Sequence, residues 1–109
     1  MITGDLGGVL DLSFVAEVDG QVAGFILARR AYVGEPVTEV GLIQILGVDP
    51  DYWHQGIASK LVNELLDACQ SKKLNAVRIM VNERDSQLQG LFAHMGFRRG
   101  QLIDYTKTL

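Results

Sequence analysis

The 109-residue chain is poor in the residues that make covalent or metal-held folds: one cysteine, two histidines and two prolines. Cys69 alone closes no intrachain disulfide, and with only His54 and His94 beside it no zinc-type spacing can be assembled. No metal is expected, and a lone thiol fits a reducing compartment. Apolar runs stay well short of the ~18 residues of a membrane span, and Met1–Leu10 lacks the basic start and long apolar stretch of a secretory signal. Positive charge is also in deficit. Ten Lys and Arg stand against thirteen Asp and Glu, a formal charge of -3, which removes the electrostatic footprint that nucleic-acid binding needs. The expectation is a cytoplasmic protein with neither nucleic acid nor membrane as partner.

What the chain has is apolar content, 48% against 21% charged, enough for a core. At this length it forms one domain, 1–109. Phe14–Val18 and Gln21–Arg29 are β-rich runs joined by Asp19-Gly20, a pair suited to the positive φ angles of a type I′ hairpin turn. Val37–Val48 is a further strand whose later half is apolar on both faces except at Gln44, as in a strand buried on both sides. Beyond Asp49-Pro50-Asp51 the period changes. Ile57, Leu61, Val62, Leu65, Leu66 and Cys69 share one helical stripe, ending near Lys72 and Lys73, which suit the negative end of the helix dipole.

Ala76–Val81 is the next strand. Leu88, Leu91, Phe92 and Met95 then recur at helical spacing, between the cap candidates Asp85 and Ser86 and a stop at Gly96, with Phe97 placed to pack back on Phe92. Extended structure is expected around Leu102, Ile103 and Tyr105. The order, three strands, helix, strand, helix, strand, defines an α/β (α+β) domain: a mixed, mostly antiparallel twisted sheet with a central β-α-β unit.

The segment from Ile45 to Leu61 is a strand feeding through a short loop into a helix start made of small residues. The first N–H groups of such a helix have no intrahelical partner and carry the positive dipole end, and Gly56, Ala58 and Ser59 let an anion approach closely. A P-loop lysine is absent. By spacing alone, close packing of helix on sheet explains Gly56 and Ala58 equally well.

Val48-Asp49-Pro50 followed by Trp53-His54-Gln55-Gly56-Ile57-Ala58-Ser59-Lys60-Leu61, with Leu91-Phe92-Ala93-His94-Met95-Gly96-Phe97 downstream, resembles the GCN5-related N-acetyltransferase family. The resemblance runs from about Phe14 to the C-terminus. It implies transfer of an acetyl group from acetyl-coenzyme A to a primary amine by direct attack, on a small molecule or a peptide. It further implies that Trp53, His54, Gln55, Gly56, Ile57, Ala58, Ser59 and Lys60 surround the pyrophosphate. Leu46, Gly47 and Val48 would pair by main chain with the pantetheine arm, between strands splayed at Leu42–Val48 and Ala76–Val81, and Asp85 and Phe92 would lie beside the cofactor. A main-chain N–H near Leu46–Val48 would stabilise the charge that develops on the thioester oxygen.

The chain departs from the family pattern in four places. Trp53 stands where Gln or Arg is usual, Asp85 where Asn is frequent, Phe92 where a Tyr protonates the leaving thiolate, and Leu42 where a Glu serves as base. Glu39, Glu83 and Tyr105 are the remaining catalytic candidates, each also readable as an ordinary surface residue. Upstream of Phe14 the usual N-terminal strand and two helices are not expected, which leaves a sheet edge uncovered and suggests a homodimer. The alternative reading is a catalytically weak acyl-CoA-binding or regulatory module; a third is a scaffold in which Trp53 fills the pyrophosphate region.

Overall fold

The computed structural model describes residues 2–4, 12–33, 38–101 and 103–109. Its elements are β1 (Ile2–Gly4), β2 (Phe14–Val18), β3 (Gln21–Val33), β4 (Thr38–Val48), α1 (Ile57–Ser71), β5 (Val77–Ile79) and α2 (Ser86–His94). Strand order in the sheet follows chain order, antiparallel from β1 to β4, with β5 parallel to β4. This is the mixed sheet with a β4-α1-β5 crossover that the pattern implied. Asp19 and Gly20 adopt φ of 51° and 79°, as the hairpin turn requires.

One face of the sheet is closed by α1. Its buried stripe, Ile57, Leu61, Val62, Leu65 and Cys69, packs on β2, β3 and β4 around Ile26, Ala28 and Ile43. Two strand glycines let the helix sit close. A Cβ on Gly41 would lie 2.6 Å from the Cys69 sulfur, and one on Gly24 would meet Ile57 at 3.2 Å and the Gly47 carbonyl oxygen at 2.9 Å.

Both helices end in Schellman motifs. At α2 the Gly96 N–H reaches the Ala93 carbonyl (3.1 Å) and the Phe97 N–H the Phe92 carbonyl (2.9 Å), and the two phenyl rings meet edge-on at 5.0 Å. At α1 the same pair of bonds, Lys73 to Gln70 and Leu74 to Cys69, puts Lys73 in the left-handed conformation at φ 61°. Lys73 is therefore the C′ residue, a backbone role beyond the dipole contribution expected of it.

The structure corrects four expectations. The short strand β1 lies along β2, so the β2 edge is covered; upstream residues also supply the core through Leu12, fully buried, and Ser13, whose hydroxyl accepts from the Ala28 N–H (3.0 Å) and donates to the Ala28 carbonyl (3.2 Å). β4 is not buried on both faces throughout: its register against β3 slips between Leu27 and Ala28, making Gln44 a bulge and leaving Ile45 51% exposed. β5 spans three residues rather than six. No strand forms over 97–101 or 103–109, and Leu102 lies outside the described residues, as does Val37. Alternation in the tail offers side chains for a sheet but no neighbour to bond with, and Tyr105 is left 91% exposed.

Candidate acyl-coenzyme A cleft

The bulge at Gln44 sets the geometry of the site. β4 and β5 are paired only over Gly41–Val77, Leu42–Arg78 and Ile43–Ile79, after which β4 runs on to Val48 unaccompanied on that side. The result is a wedge that narrows to the Ile43–Ile79 rung and opens toward the start of α1. From Ile43 to Val48 its β4 wall is about 16 Å long at ~3.3 Å per residue.

The hydrogen-bond alternation of an antiparallel pair decides which main-chain groups face this wedge. Asp49 donates to the Ala23 carbonyl of β3 at 2.8 Å. Two residues back along the ladder, Gly47 opposite Phe25 likewise turns its N–H and C=O to β3, whereas Leu46 and Val48 turn theirs into the gap. Gly47 contributes shape instead: a Cβ there would sit 3.0 Å from the Phe25 ring.

The loop beyond β4 is held firmly. Asp49 accepts from the Asp51 N–H (2.9 Å) and starts a 3-10 turn over Pro50–Tyr52, and the Tyr52 hydroxyl reaches Gln21 of β3 (3.2 Å). His54 and Gly56 then take left-handed φ of 64° and 77°, and Gly56 caps α1 with no side-chain bond to its amides. The first intrahelical N–H is that of Lys60, on the Gly56 carbonyl at 3.0 Å. Those of Ile57, Ala58 and Ser59 lack a carbonyl one turn below, and nothing lies within 4 Å of where a Gly56 Cβ would be. Gln55, Gly56 and Lys60 are exposed and Ile57 is buried against the sheet, so the amides stand in the open while the helix is anchored behind them.

Trp53 is half exposed, and its indole N–H donates to the Val48 carbonyl at 2.8 Å. This is one of the groups facing the wedge, so the indole stands over the mouth of the gap. That bond was not legible in the sequence, because it depends on the alternation that frees Val48 from β3.

The other predicted residues are dispersed. Asp85 caps α2, its carboxylate accepting from the Leu88 N–H at 3.0 Å. Phe92 is 4% exposed, inside the core. Glu83 is exposed in the turn before α2, and its carbonyl accepts from the Gln89 amide (2.8 Å). Glu39 lies across from Tyr32 near the far end of β4, seven residues or about 23 Å from Leu46. Its side chain accepts from the Tyr32 phenol and raises that group above its ordinary 10.0. Tyr105 is in the exposed tail. The three catalytic candidates therefore do not converge. Among the described residues no group of three or more His, Cys, Asp or Glu could hold a metal, and no helix is long and apolar enough to cross a membrane.

A mixed sheet whose parallel pair parts ahead of the helix between its strands defines the class of fold. The model of the acetyltransferase (GNAT) family matches residues 6–97, and the chain belongs to that family. Solved structures share the fold. A ribosomal-protein-alanine N-acetyltransferase from Brucella melitensis biovar Abortus 2308 superposes with a TM-score of 0.77 at 18% identity, over 89% of this chain and 70% of that one. AAC(6')-Iy, bound to the bisubstrate analogue CoA-S-monomethyl-acetylneamine, matches with 0.77 at 23% identity, over 89% and 69%. An aminoglycoside acetyltransferase from an uncultured soil metagenomic sample, in complex with trehalose, gives 0.77 at 19%, over 89% and 64%.

Proposed function

We propose that the chain binds acetyl-coenzyme A and transfers its acetyl group to a primary amine. The observation that carries this reading is the alignment of two sets of main-chain groups: the amides of Ile57–Ser59 at the wedge's open end, and along its wall the N–H and C=O of Leu46 and the N–H of Val48, whose carbonyl accepts from Trp53. Ile57, Ala58 and Ser59 would hold the pyrophosphate, with Gln55 and Lys60 at its flank. Leu46 and Val48 would pair with the pantetheine arm, and Gly47 would keep Phe25 in place behind them. His54 and Trp53 would line the entrance. When bound, the thioester supplies an activated acetyl group.

The chain's own contribution is then binding and orientation. The wall is about as long as an extended pantetheine arm, so the thioester would lie toward the inner end of the wedge, between Leu46 and the Ile43–Ile79 rung. A Leu46 N–H aimed into the gap would stabilise negative charge developing on the carbonyl oxygen. Holding the amine there supplies proximity. Phe92 has no proton to donate and Leu42 no group to accept one, so the amine would have to arrive neutral; as the C–N bond forms and the C–S bond breaks, its nitrogen would lose a proton to water and the thiolate would take one from water.

That lack of acid–base groups at the rung favours one second reading, a slow enzyme or acyl-CoA-binding regulatory module. The buried Cys69 thiol, outside any disulfide, fits the cytoplasm as the working compartment. A homodimer remains a proposal, with the outer edge of β5 in place of the β2 edge that β1 covers.

Trp53 is the chain's single tryptophan and stands at the mouth. Titration with acetyl-coenzyme A is expected to change its emission saturably, with the same Kd as calorimetry and with thiol release across an amine panel. No heat and no emission change would reject both readings; binding without thiol release would select the regulatory module.

A further inference from the structure

The wedge ends against a charge that the cofactor reading leaves unused. Arg78 lies abreast of Leu42 on the second of the three β4–β5 rungs, and its buried Nε has no hydrogen-bond partner among the described residues. Paired residues project to the same side of a sheet, so Arg78 shares a face with Leu42 and with Arg29, which pairs with Leu42 from β3. This is the face away from α1, because Gly41 and Ile43, the neighbours of Leu42, turn toward that helix.

The two arginines thus flank Leu42 from either side, their backbones about 10 Å apart across two strand spacings. The described side chains of β3 and β4 next to them on that face are apolar, Leu27 toward the bulge and Ala31 and Val40 away from it, and carry no acid to neutralise either one. Next to the rung, Met80 is 79% and Ile45 51% exposed. Since α1 closes the other side, the approach to the thioester end lies across the exposed part of this face, past Ile45 and Met80 and toward Arg78, whereas Val40 further along is covered.

We propose that the acceptor amine also carries a carboxylate, and that Arg78 receives it at the closed end of the wedge. The proposal rests on the acetyl-coenzyme A reading for the identity of the acceptor. A buried guanidinium Nε without an acceptor is costly to leave unmade, and a planar carboxylate matches the guanidinium fork with two parallel bonds. Arg29 adds to the positive field on the approach side. Apolar lips beside a cation suit an amino-acid-like acceptor rather than a polyamine or an aminoglycoside, whose added positive charges the two arginines repel.

The test separates the two readings. Calorimetry with coenzyme A alone judges the cofactor site. γ-Aminobutyrate, butylamine, phenylalanine, its methyl ester, phenethylamine and 2-aminoethylphosphonate are then titrated by saturation-transfer NMR, with and without coenzyme A, so that Arg78 is judged whichever way the first measurement falls. The carboxylates are expected to bind at least tenfold more tightly than their partners in which the carboxylate is esterified, lost or replaced by methyl. The preference should vanish in Arg78→Gln, persist in part in Arg78→Lys, and fade in wild-type protein at high salt. Equal binding across each pair, no carboxylate binding up to 10 mM, a preference that survives Arg78→Gln or salt, or a phosphonate that outbinds the carboxylates would each overturn it.

Discussion

Gly56 is the residue on which the cradle turns. At φ 77° and with no atom near the position of a Cβ, it accepts a side chain sterically but directs it into the space before the Ile57–Ser59 amides. A left-handed aspartate costs about 1 kcal/mol of stability, so Gly56→Asp is expected to fold with a modestly lower Tm. Its carboxylate competes for the same amides, and acetyl-coenzyme A affinity should fall about 100-fold, near 2.7 kcal/mol, by calorimetry. Asn tolerates the same φ without the charge, so Gly56→Asn should retain most of the binding; unchanged affinity in Gly56→Asp would reject the cradle. Tyr32 marks the opposite end of β4. Because the Glu39 hydrogen bond and charge raise its phenol in the folded state, that contribution to stability is present below 10 and lost as pH rises through the folded value. Tyrosinate absorbance is expected to show a component titrating above the ordinary phenol range that Tyr32→Phe removes, with stability near neutral pH unaffected by this titration. At this scale the sequence pointed to Gly56 and its neighbours through resemblance, whereas Arg78 and the Trp53 bond were hidden, since both depend on register and on which way an amide turns.

At the scale of elements, periodicity found both helices and the hairpin because their signals are local: a stripe at 3.6 residues, a cap, an Asp-Gly turn. The bulge at Gln44 and strand β1 were illegible for the opposite reason. A bulge exists only relative to the partner strand, and three residues in a glycine-rich start carry no alternation to read; β1 is recognised by what it lies against. Lys73 is the clearest case of a local signal with two meanings. It sits where a basic residue suits the helix dipole, and also where the chain must turn left-handed at φ 61° to close the α1 Schellman motif. Glycine there relieves about 1–2 kcal/mol of backbone cost and forfeits about 0.3–1 kcal/mol of dipole interaction. Lys73→Gly is therefore expected to raise Tm by a few degrees in a calorimetric scan, and a lower Tm would show that the lysine charge outweighs the strain.

For the whole molecule, the chain spans 64–70% of the length of the three solved structures named above, yet it holds the sheet, the wedge and α1, whose start forms the wedge's open end. The connected core cluster lies on one face, between α1 and β2–β4, with Val40 buried on the other, and the wedge wall packs against the cluster through Leu46 and Val48. Ligand binding should therefore report on global unfolding rather than on a loop alone. Binding to the folded state at a concentration of 100 Kd contributes about 2.7 kcal/mol, which for a domain of this size raises Tm by about 10 °C. Acetyl-coenzyme A and free coenzyme A should act nearly alike, because the amides of Ile57–Ser59 and the Val48 N–H lie away from the acetyl end. The shift should grow with the logarithm of concentration above Kd and be largely absent in Gly56→Asp at the same concentration. A shift equal in Gly56→Asp and wild type would mean that the nucleotide thioester binds elsewhere on the fold, and the wedge would then need a different occupant.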